Sequence, residues 1–272
     1  MKFRLLMVFV LLLFASLGLA QDMTFKSHGR VVKTLGASEL EKISPAQTIL
    51  VWDPTSEKEI SYRAHSVEAV FQSVFGNAWK NSEEILFTCI DGYRPSIPTS
   101  RFIQHKAFIA VARTDNKNFD LMKINKKIEL GPYYLIWENS KYPELKVGDG
   151  PSWPYQLAAV DLTTFNETFP KIAPPKNSSP AVKRGFLAFR KNCLPCHSIN
   201  GNGGKEAPEL NYPVNITQYY KETWLKKWIS DPKSIRFRTP MPPFPEVSGR
   251  DKIINDIISY LKAIRANKHK PD

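Results

Sequence analysis

The stretch Cys193-Leu194-Pro195-Cys196-His197 decides the interpretation of the second half of this 272-residue chain. Two thiols three positions apart, followed directly by an imidazole, form the pattern in which cysteines bond covalently to haem and the histidine binds its iron. A thioredoxin-like redox pair would normally follow a strand, whereas a helix is predicted before Cys193. A zinc site would need further ligands, and only His269, near the C-terminus, is at hand. The motif therefore predicts one covalent haem c, held by Cys193 and Cys196, with His197 as an axial iron ligand.

Three helices are predicted around this motif. Ser179-Pro180 supplies an N-cap serine and a proline in the first turn, so the first helix is expected to run to about Asn192. A second helix is predicted from near Thr217 to Asp231-Pro232, where proline stops it. A third is predicted from Ser248-Gly249-Arg250-Asp251, which has a capping-box pattern, and its isoleucines form one face.

In motif and helix order, residues 181–272 resemble a class I cytochrome c domain. Gly185 and Phe189 fall where that family packs its first helix against its last, and Tyr260-Leu261 are the matching residues of the last helix. The resemblance implies an all-α fold. It also implies that Pro208, within Ala207-Pro208-Glu209-Leu210, accepts a hydrogen bond from the proximal imidazole through its carbonyl, which would fix the imidazole tautomer.

The sixth iron ligand is assigned to Met241. It is the only methionine after residue 180, and it lies in a proline-rich loop between the second and third predicted helices. The cytochrome c resemblance places the methionine ligand in such a loop, and a thioether raises the reduction potential of the iron. The alternative is a methionine that merely packs in the loop.

Basic residues exceed acidic residues over the whole chain, which has a formal net charge of +12. Residues 181–272 alone contain 17 Lys or Arg and 8 Asp or Glu, a balance of +9. Such a surface predicts attraction to an acidic redox partner protein, although a merely solvated basic surface would have the same composition. Nucleic-acid binding is not expected, since no motif for it is present.

The first 20 residues have the pattern of a secretory signal peptide. A basic start, Met1-Lys2-Phe3-Arg4, precedes the apolar run 5–13, and Gly18-Leu19-Ala20 supplies small residues for cleavage. An uncleaved N-terminal anchor is the alternative. The expected location is the periplasm, with no stable membrane span after cleavage. Three cysteines, two of them in one motif, do not suggest a disulfide scaffold.

Residues 21–170 are predicted to form an α+β domain. One amphipathic helix is predicted over residues 66–75, among short apolar runs typical of strands. The predicted strands are residues 30–35, 48–52, 84–90, 107–112, 133–137 and 155–162. Residues 171–180 are rich in Pro and Ser without hydrophobic periodicity, so they are predicted to be a linker.

The segment Phe87-Thr88-Cys89-Ile90-Asp91-Gly92-Tyr93-Arg94 is preceded by residues 60–63 and the predicted helix 66–75, and it is followed by residues 130–137 and 152–157. In this order and character, residues of about 25–162 resemble the molybdopterin-binding domain of the sulfite oxidase family. The resemblance implies a mixed α+β fold. It also implies that Cys89 falls on the position where active members ligate molybdenum, which makes Cys89 a candidate catalytic residue and bound molybdopterin a candidate cofactor. The alternative is a buried strand cysteine, which packs like a small hydrophobe.

Three histidines of the first domain, His28, His65 and His105, could contact a cofactor or act as a base, but lone histidines are more often surface or satisfied residues. The sequence thus leaves three functional hypotheses. The first is a periplasmic electron carrier with one haem, and the second is a molybdenum oxidoreductase with a fused haem outlet. The third is a sensor in which the haem state alters the first domain.

Overall fold

The computed structural model describes residues 22–115, 117–123, 126–142, 145–146 and 152–271. The proposed signal segment, residues 1–20, lies outside them. Strands dominate the first region and helices the second, as the sequence predicted. Among the helices of the described residues, none combines the length and the apolar character that crossing a bilayer requires.

The first region contains a mixed five-stranded sheet, an antiparallel four-stranded sheet and several short helices. Its strands are β1 (Met23–Ser27), β2 (Arg30–Leu35), β3 (Gln47–Asp53), β4 (Lys58–Ser66), β5 (Glu84–Cys89), β6 (Ser96–Pro98), β7 (Ala107–Arg113), β8 (Asp120–Lys123), β9 (Lys126–Glu129), β10 (Tyr134–Trp137) and β11 (Leu157–Thr163). Its helices are α1 (Ala37–Ile43), α2 (Val67–Phe75), α3 (Ala78–Asn81), α4 (Thr99–Gln104) and α5 (Phe165–Thr168).

Two sheets enclose the core of this region. One has the order β2-β1-β11-β5-β6, with β1 and β11 parallel, and the other has the order β10-β7-β4-β3. The strands β8 and β9 form a separate hairpin. Strand β5 lies inside the five-stranded sheet and is buried at five of its six positions. Its last residue is Cys89, which therefore lies at an end of the sheet.

The second region holds α6 (Pro180–Asn192), β12 (Ser198–Ile199), β13 (Asn202–Gly203), α7 (Ile216–Tyr219), α8 (Glu222–Ser230), a 3-10 turn (Pro232–Ser234) and α9 (Arg250–Ile264). The side chain of Ser179 accepts a hydrogen bond from the Val182 N–H and begins α6. Gly185 lets α6 approach α9 closely, because a Cβ at this position would overlap the backbone carbonyl of Asp256.

Two helix predictions in this region were wrong. The single helix predicted from near Thr217 is two helices, because the backbone is extended at Tyr220 and Lys221. The capping box predicted at Ser248 is not formed. Gly249, at φ 72°, begins α9 without a side-chain cap, since only a residue tolerant of the left-handed region fits there.

The two regions share a buried boundary. Arg190 of α6 donates to the Glu84 carboxylate at 2.7 Å, and Glu84 is only 3% exposed. The Tyr260 hydroxyl of α9 donates to the Ile172 carbonyl at 2.8 Å. Ile172, at the start of the predicted linker, is itself fully buried. Leu86, Phe165 and Phe169 of the first region belong to the same apolar cluster as the core of the helices.

Candidate functional site

The end of helix α6 delivers the Cys193–His197 motif as one compact turn. Cys193 ends the helix, and its N–H donates a hydrogen bond to the Phe189 carbonyl at 2.9 Å. The N–H groups of Cys196 and His197 both donate back to the Cys193 carbonyl, at 3.1 and 2.8 Å. These backbone bonds close the turn and bring the two thiols and the imidazole together on it.

The imidazole of His197 has a defined tautomer. Its Nδ1 lies 2.7 Å from the Pro208 carbonyl oxygen, which can only accept, so Nδ1 carries the proton. Burial lowers the pKa of His197, although the bond to Pro208 opposes this effect. A neutral ring with Nδ1 occupied leaves the Nε2 lone pair available for a metal ion.

Glu209 fixes the loop that presents the Pro208 carbonyl. Its carboxylate accepts backbone N–H groups from Asn200 and Asn211 at 2.8 Å each, and from Gly201 at 3.0 Å. Burial raises the pKa of Glu209, but these bonds outweigh it and the pKa is lowered overall. The carboxylate thus stays ionised and continues to organise the loop.

The hairpin β12–β13 lies directly against the motif. A Cβ at Gly204 would overlap the Pro195 carbonyl, and one at Gly203 would overlap the His197 carbonyl. The Gly204 N–H donates to the carbonyls of Leu194 and His197, at 2.9 and 3.2 Å. These two glycines allow the close approach that holds the motif in place.

Both motif cysteines are free thiols in surroundings that keep them protonated. Burial raises the pKa of Cys193 to about 12. Burial also raises the pKa of Cys196, and the nearby Glu206 carboxylate adds to the shift. The Cys196 thiol lies 3.2 Å from a Glu206 carboxylate oxygen, a contact that the sequence did not predict. Both shifts are opposite to the lowered thiol pKa that is typical of a disulfide oxidoreductase.

Met241 lies on the loop between the 3-10 turn and α9. Its sulfur accepts a hydrogen bond from the indole N–H of Trp228 at 3.1 Å. The loop is anchored three residues later, where the buried Phe244 donates its N–H to the Ile229 carbonyl at 3.1 Å. Phe244 and Leu194 belong to one apolar cluster, so the Met241 loop and the haem motif border the same core.

Cys89 is a buried residue of the first region. Its side chain is 3% exposed and belongs to the core cluster of the first region. Burial raises the pKa of its thiol, and the carboxylates of Asp91 and Glu206 raise it further. Two surface depressions of about 400 and 360 Å³ are lined by other residues.

The histidines of the first region occupy three unrelated places. His65 is buried, and its Nδ1 donates to the Ser44 carbonyl at 2.6 Å. His28 pairs with Glu167 on the surface at 2.7 Å. His105 stacks edge-on against Tyr142, with ring centroids 4.7 Å apart. The structure therefore does not gather them into one site.

A comparison with known protein families finds a match for the region that contains the Cys193–His197 motif. The family model of cytochrome c matches residues 182–265, from the first turn of α6 to the end of α9. Residues 182–265 are a cytochrome c domain. This finding confirms the cytochrome c resemblance of the C-terminal region and supports haem-based electron transfer. The match does not extend into the first region.

The cytochrome c domain is also similar to part of a larger protein. Cytochrome c oxidase subunit 2 of Alkalihalophilus pseudofirmus is 29% identical over 90 residues, which are 31% of this chain. The match covers 26% of that protein, so this chain spans about a quarter of the length of that relative. The likeness therefore concerns one domain.

The residues of the cytochrome c domain fit a haem. Two thiols and a histidine occupy one turn. The Nδ1 of His197 is already hydrogen-bonded, so Nε2 is the nitrogen that can bind iron. The sequence had singled out these residues, Pro208 and Met241, and the structure brings His197 and Pro208 together. Sequence reasoning missed Trp228 as a partner of the Met241 sulfur, although the spacing had placed Trp228 on the predicted second helix. It also missed Glu206, for which the sequence contains no distinct signal.

Proposed function

We propose that this protein is an exported c-type cytochrome that transfers single electrons through one covalently bound haem. The observation that carries the proposal is the 2.7 Å contact between His197 Nδ1 and the Pro208 carbonyl, inside a domain matched to cytochrome c. That contact orients Nε2 toward a ligand position. When bound, the haem supplies an iron that alternates between the ferrous and ferric states.

The chain's own residues bind and shield this group. Cys193 and Cys196 hold the haem through thioether bonds, and His197 supplies the proximal nitrogen. Met241 would supply a thioether ligand, and its sulfur accepts a hydrogen bond from the Trp228 N–H at 3.1 Å. Since a thioether favours the reduced iron, this ligand pair suits a carrier of fairly high potential.

The number of haems and the location are part of the proposal. The chain contains one Cys-x-x-Cys-His motif, which supports one haem for each chain. The signal-like pattern of residues 1–20 supports export to the periplasm.

For the first region we propose the mixed α+β fold of the sulfite oxidase family without molybdopterin. Cys89 stands at the end of β5, as the resemblance implied, and this position supports the fold. The surroundings of its sulfur do not fit a molybdenum ligand. A ligating cysteine must face a cofactor, whereas the Cys89 side chain is 3% exposed and belongs to the apolar core of the first region.

Metal analysis separates the carrier from the molybdenum enzyme. Protein isolated from the periplasmic fraction of cells supplied with molybdate should contain one iron and no molybdenum for each chain. It should titrate as one reversible single-electron couple. Cys89→Ser should leave the haem spectrum and the midpoint potential unchanged, because the residue is core. Near-equal iron and molybdenum, with turnover lost in Cys89→Ser, would establish the enzyme instead, and recovery from the cytoplasmic fraction would contradict export.

The proposed redox partner is an acidic protein that approaches the Met241 loop. Phe237 is 83% exposed and stands between Arg236 and Arg238. These two guanidinium groups and Lys233 are exposed, and no ion pair to another described residue holds them. An exposed apolar side chain surrounded by basic side chains is complementary to a partner surface whose apolar centre is surrounded by acidic residues.

Reversing this charge should slow electron transfer to an acidic partner. With an acidic cupredoxin as the probe, the second-order rate of Arg236→Glu/Arg238→Glu should be about tenfold lower at low salt, since steering governs encounter. The wild-type rate should fall toward the variant rate as salt is added. Lys58→Glu/Lys26→Glu, an equal charge change on the first region, is the control. Equal effects of both double variants would show that net charge, and not this surface, determines the rate.

A further inference from the structure

The turn that follows β5 is tightly closed. The Gly92 N–H donates to the Cys89 carbonyl at 3.1 Å, and the Cys89 N–H donates to the Tyr93 carbonyl at 2.9 Å. The Tyr93 N–H donates to the Asp91 carboxylate at 2.9 Å. Gly92 has φ 91°, which other residues rarely adopt. The position of Tyr93 is therefore set by the backbone of the turn.

This turn is bonded to the haem motif on both sides of Tyr93. The Arg94 N–H donates to the Pro195 carbonyl at 2.8 Å, within the Cys-x-x-Cys segment. The Lys205 N–H donates to the Gly92 carbonyl at 3.2 Å. The two chain neighbours of Tyr93 are thus bonded to the haem region. Arg94 is bonded to Pro195, which precedes Cys196, and Gly92 is bonded to Lys205, which precedes Glu206.

Tyr93 lies between the two backbone contacts with the haem region, and its side chain is partly buried. Burial raises the pKa of its hydroxyl, and Cys196 and then Cys89 contribute the next largest effects, followed by Tyr155. Tyr93 also packs, partly buried, against the core of the first region. Its ring therefore belongs to the part of the first region whose backbone is bonded to the haem motif on both sides.

A second contact keeps the two regions from separating. The Glu84 carboxylate, at the other end of β5, pairs with Arg190 at 2.7 Å and accepts the Ser96 hydroxyl at 2.8 Å. The Arg190 guanidinium also lies over the Phe165 ring, 3.4 Å from its centroid. This buried ion pair holds the start of β5 against α6.

From this geometry we propose that Tyr93, a residue of the first region, closes the Cys196 side of the haem site and is a positioning residue for electron transfer. The inference rests on the proposed function, because it assumes a thioether at Cys196. The ring keeps water from the haem edge, and the dry surroundings disfavour the more highly charged ferric state. The first region thereby acts as a wall of the haem site, and partners reach the haem from another side.

The test uses the full-length protein with its haem. Tyr93→Ala should lower the midpoint potential and raise several-fold the rate at which ferricyanide, a small anion, oxidises the ferrous protein. Tyr93→Phe keeps the ring and should restore both values to near wild type. Ile90→Ala removes a side chain that is 52% exposed on the same turn, and it should change neither value.

Tyr93→Leu provides a second variant, because it keeps part of the apolar volume if the alanine variant does not fold. It should change both quantities in the same direction and by less. Potentials and rates of Tyr93→Ala or Tyr93→Leu that match Ile90→Ala would overturn the inference. A wild-type protein that holds no covalent haem would instead overturn the proposed function, so the two failures are distinguishable.

Discussion

Replacing both Cys193 and Cys196 by alanine should change the chain from one that retains all of its haem to one that retains none after acid–acetone extraction. In the proposed function Cys193 and Cys196 carry the covalent bonds to the haem, and a haem without such bonds can dissociate when the protein is denatured. Haem staining of a denaturing gel gives the same measurement. The expected effect is complete loss of the stained band.

The third cysteine of the chain provides the matched control. Cys89→Ala also removes a buried thiol, yet it should leave the stained band at full intensity, because Cys89 lies in the core of the first region. Haem that is extracted from the wild-type protein would contradict covalent attachment. Haem that survives in the double variant would show that another residue carries the bond.

Substituting Met241 by alanine should lower the midpoint potential by tenths of a volt, on the order of the changes that axial ligands produce. The thioether favours ferrous iron, whereas a water ligand favours ferric iron. The oxidised protein should also lose the weak far-red absorption band that the resemblance to cytochrome c implies for a Met–His pair. Potentiometric titration followed by absorption spectroscopy measures both effects.

Trp228→Phe serves as the companion variant, since it keeps an aromatic ring but removes the N–H that the Met241 sulfur accepts at 3.1 Å. Without that hydrogen bond the sulfur is a stronger donor, so the potential should fall by less than in Met241→Ala, and the far-red band should remain. An unchanged spectrum and potential in Met241→Ala would assign the sixth ligand to another residue.

The fold could be predicted where local chemistry alone determines the element. The N-cap bond of Ser179 and the proline after it placed α6 correctly, and the apolar run of β2 matched its bounds from Arg30 to Leu35. The break at Tyr220 and the left-handed Gly249 could not be predicted, because contacts with distant residues impose them. Arg250, for example, reaches back to the Ser230 and Phe244 carbonyls at 2.7 and 3.0 Å.

The residues of the site likewise fall into those that the sequence pattern predicts and those that it does not. Cys193, Cys196 and His197 are adjacent in sequence, so their joint role could be read from spacing, and the family resemblance supplied Pro208. Tyr93 lies about 100 residues before Cys196, and only the folded chain brings it near. No periodicity or spacing encodes such a pair, because it depends on how two regions with separate patterns pack together.

The buried position of Ile172 has a practical consequence for anyone who expresses the C-terminal half alone. A fragment that starts at residue 180 follows the change in composition, yet it omits Leu86, Phe165, Phe169 and Ile172 from the apolar cluster that contains Phe189 and Tyr260. It also leaves the Tyr260 hydroxyl without the carbonyl to which it donates. A fragment that begins at Thr164 retains three of those four side chains, so it is the sounder place to cut the gene.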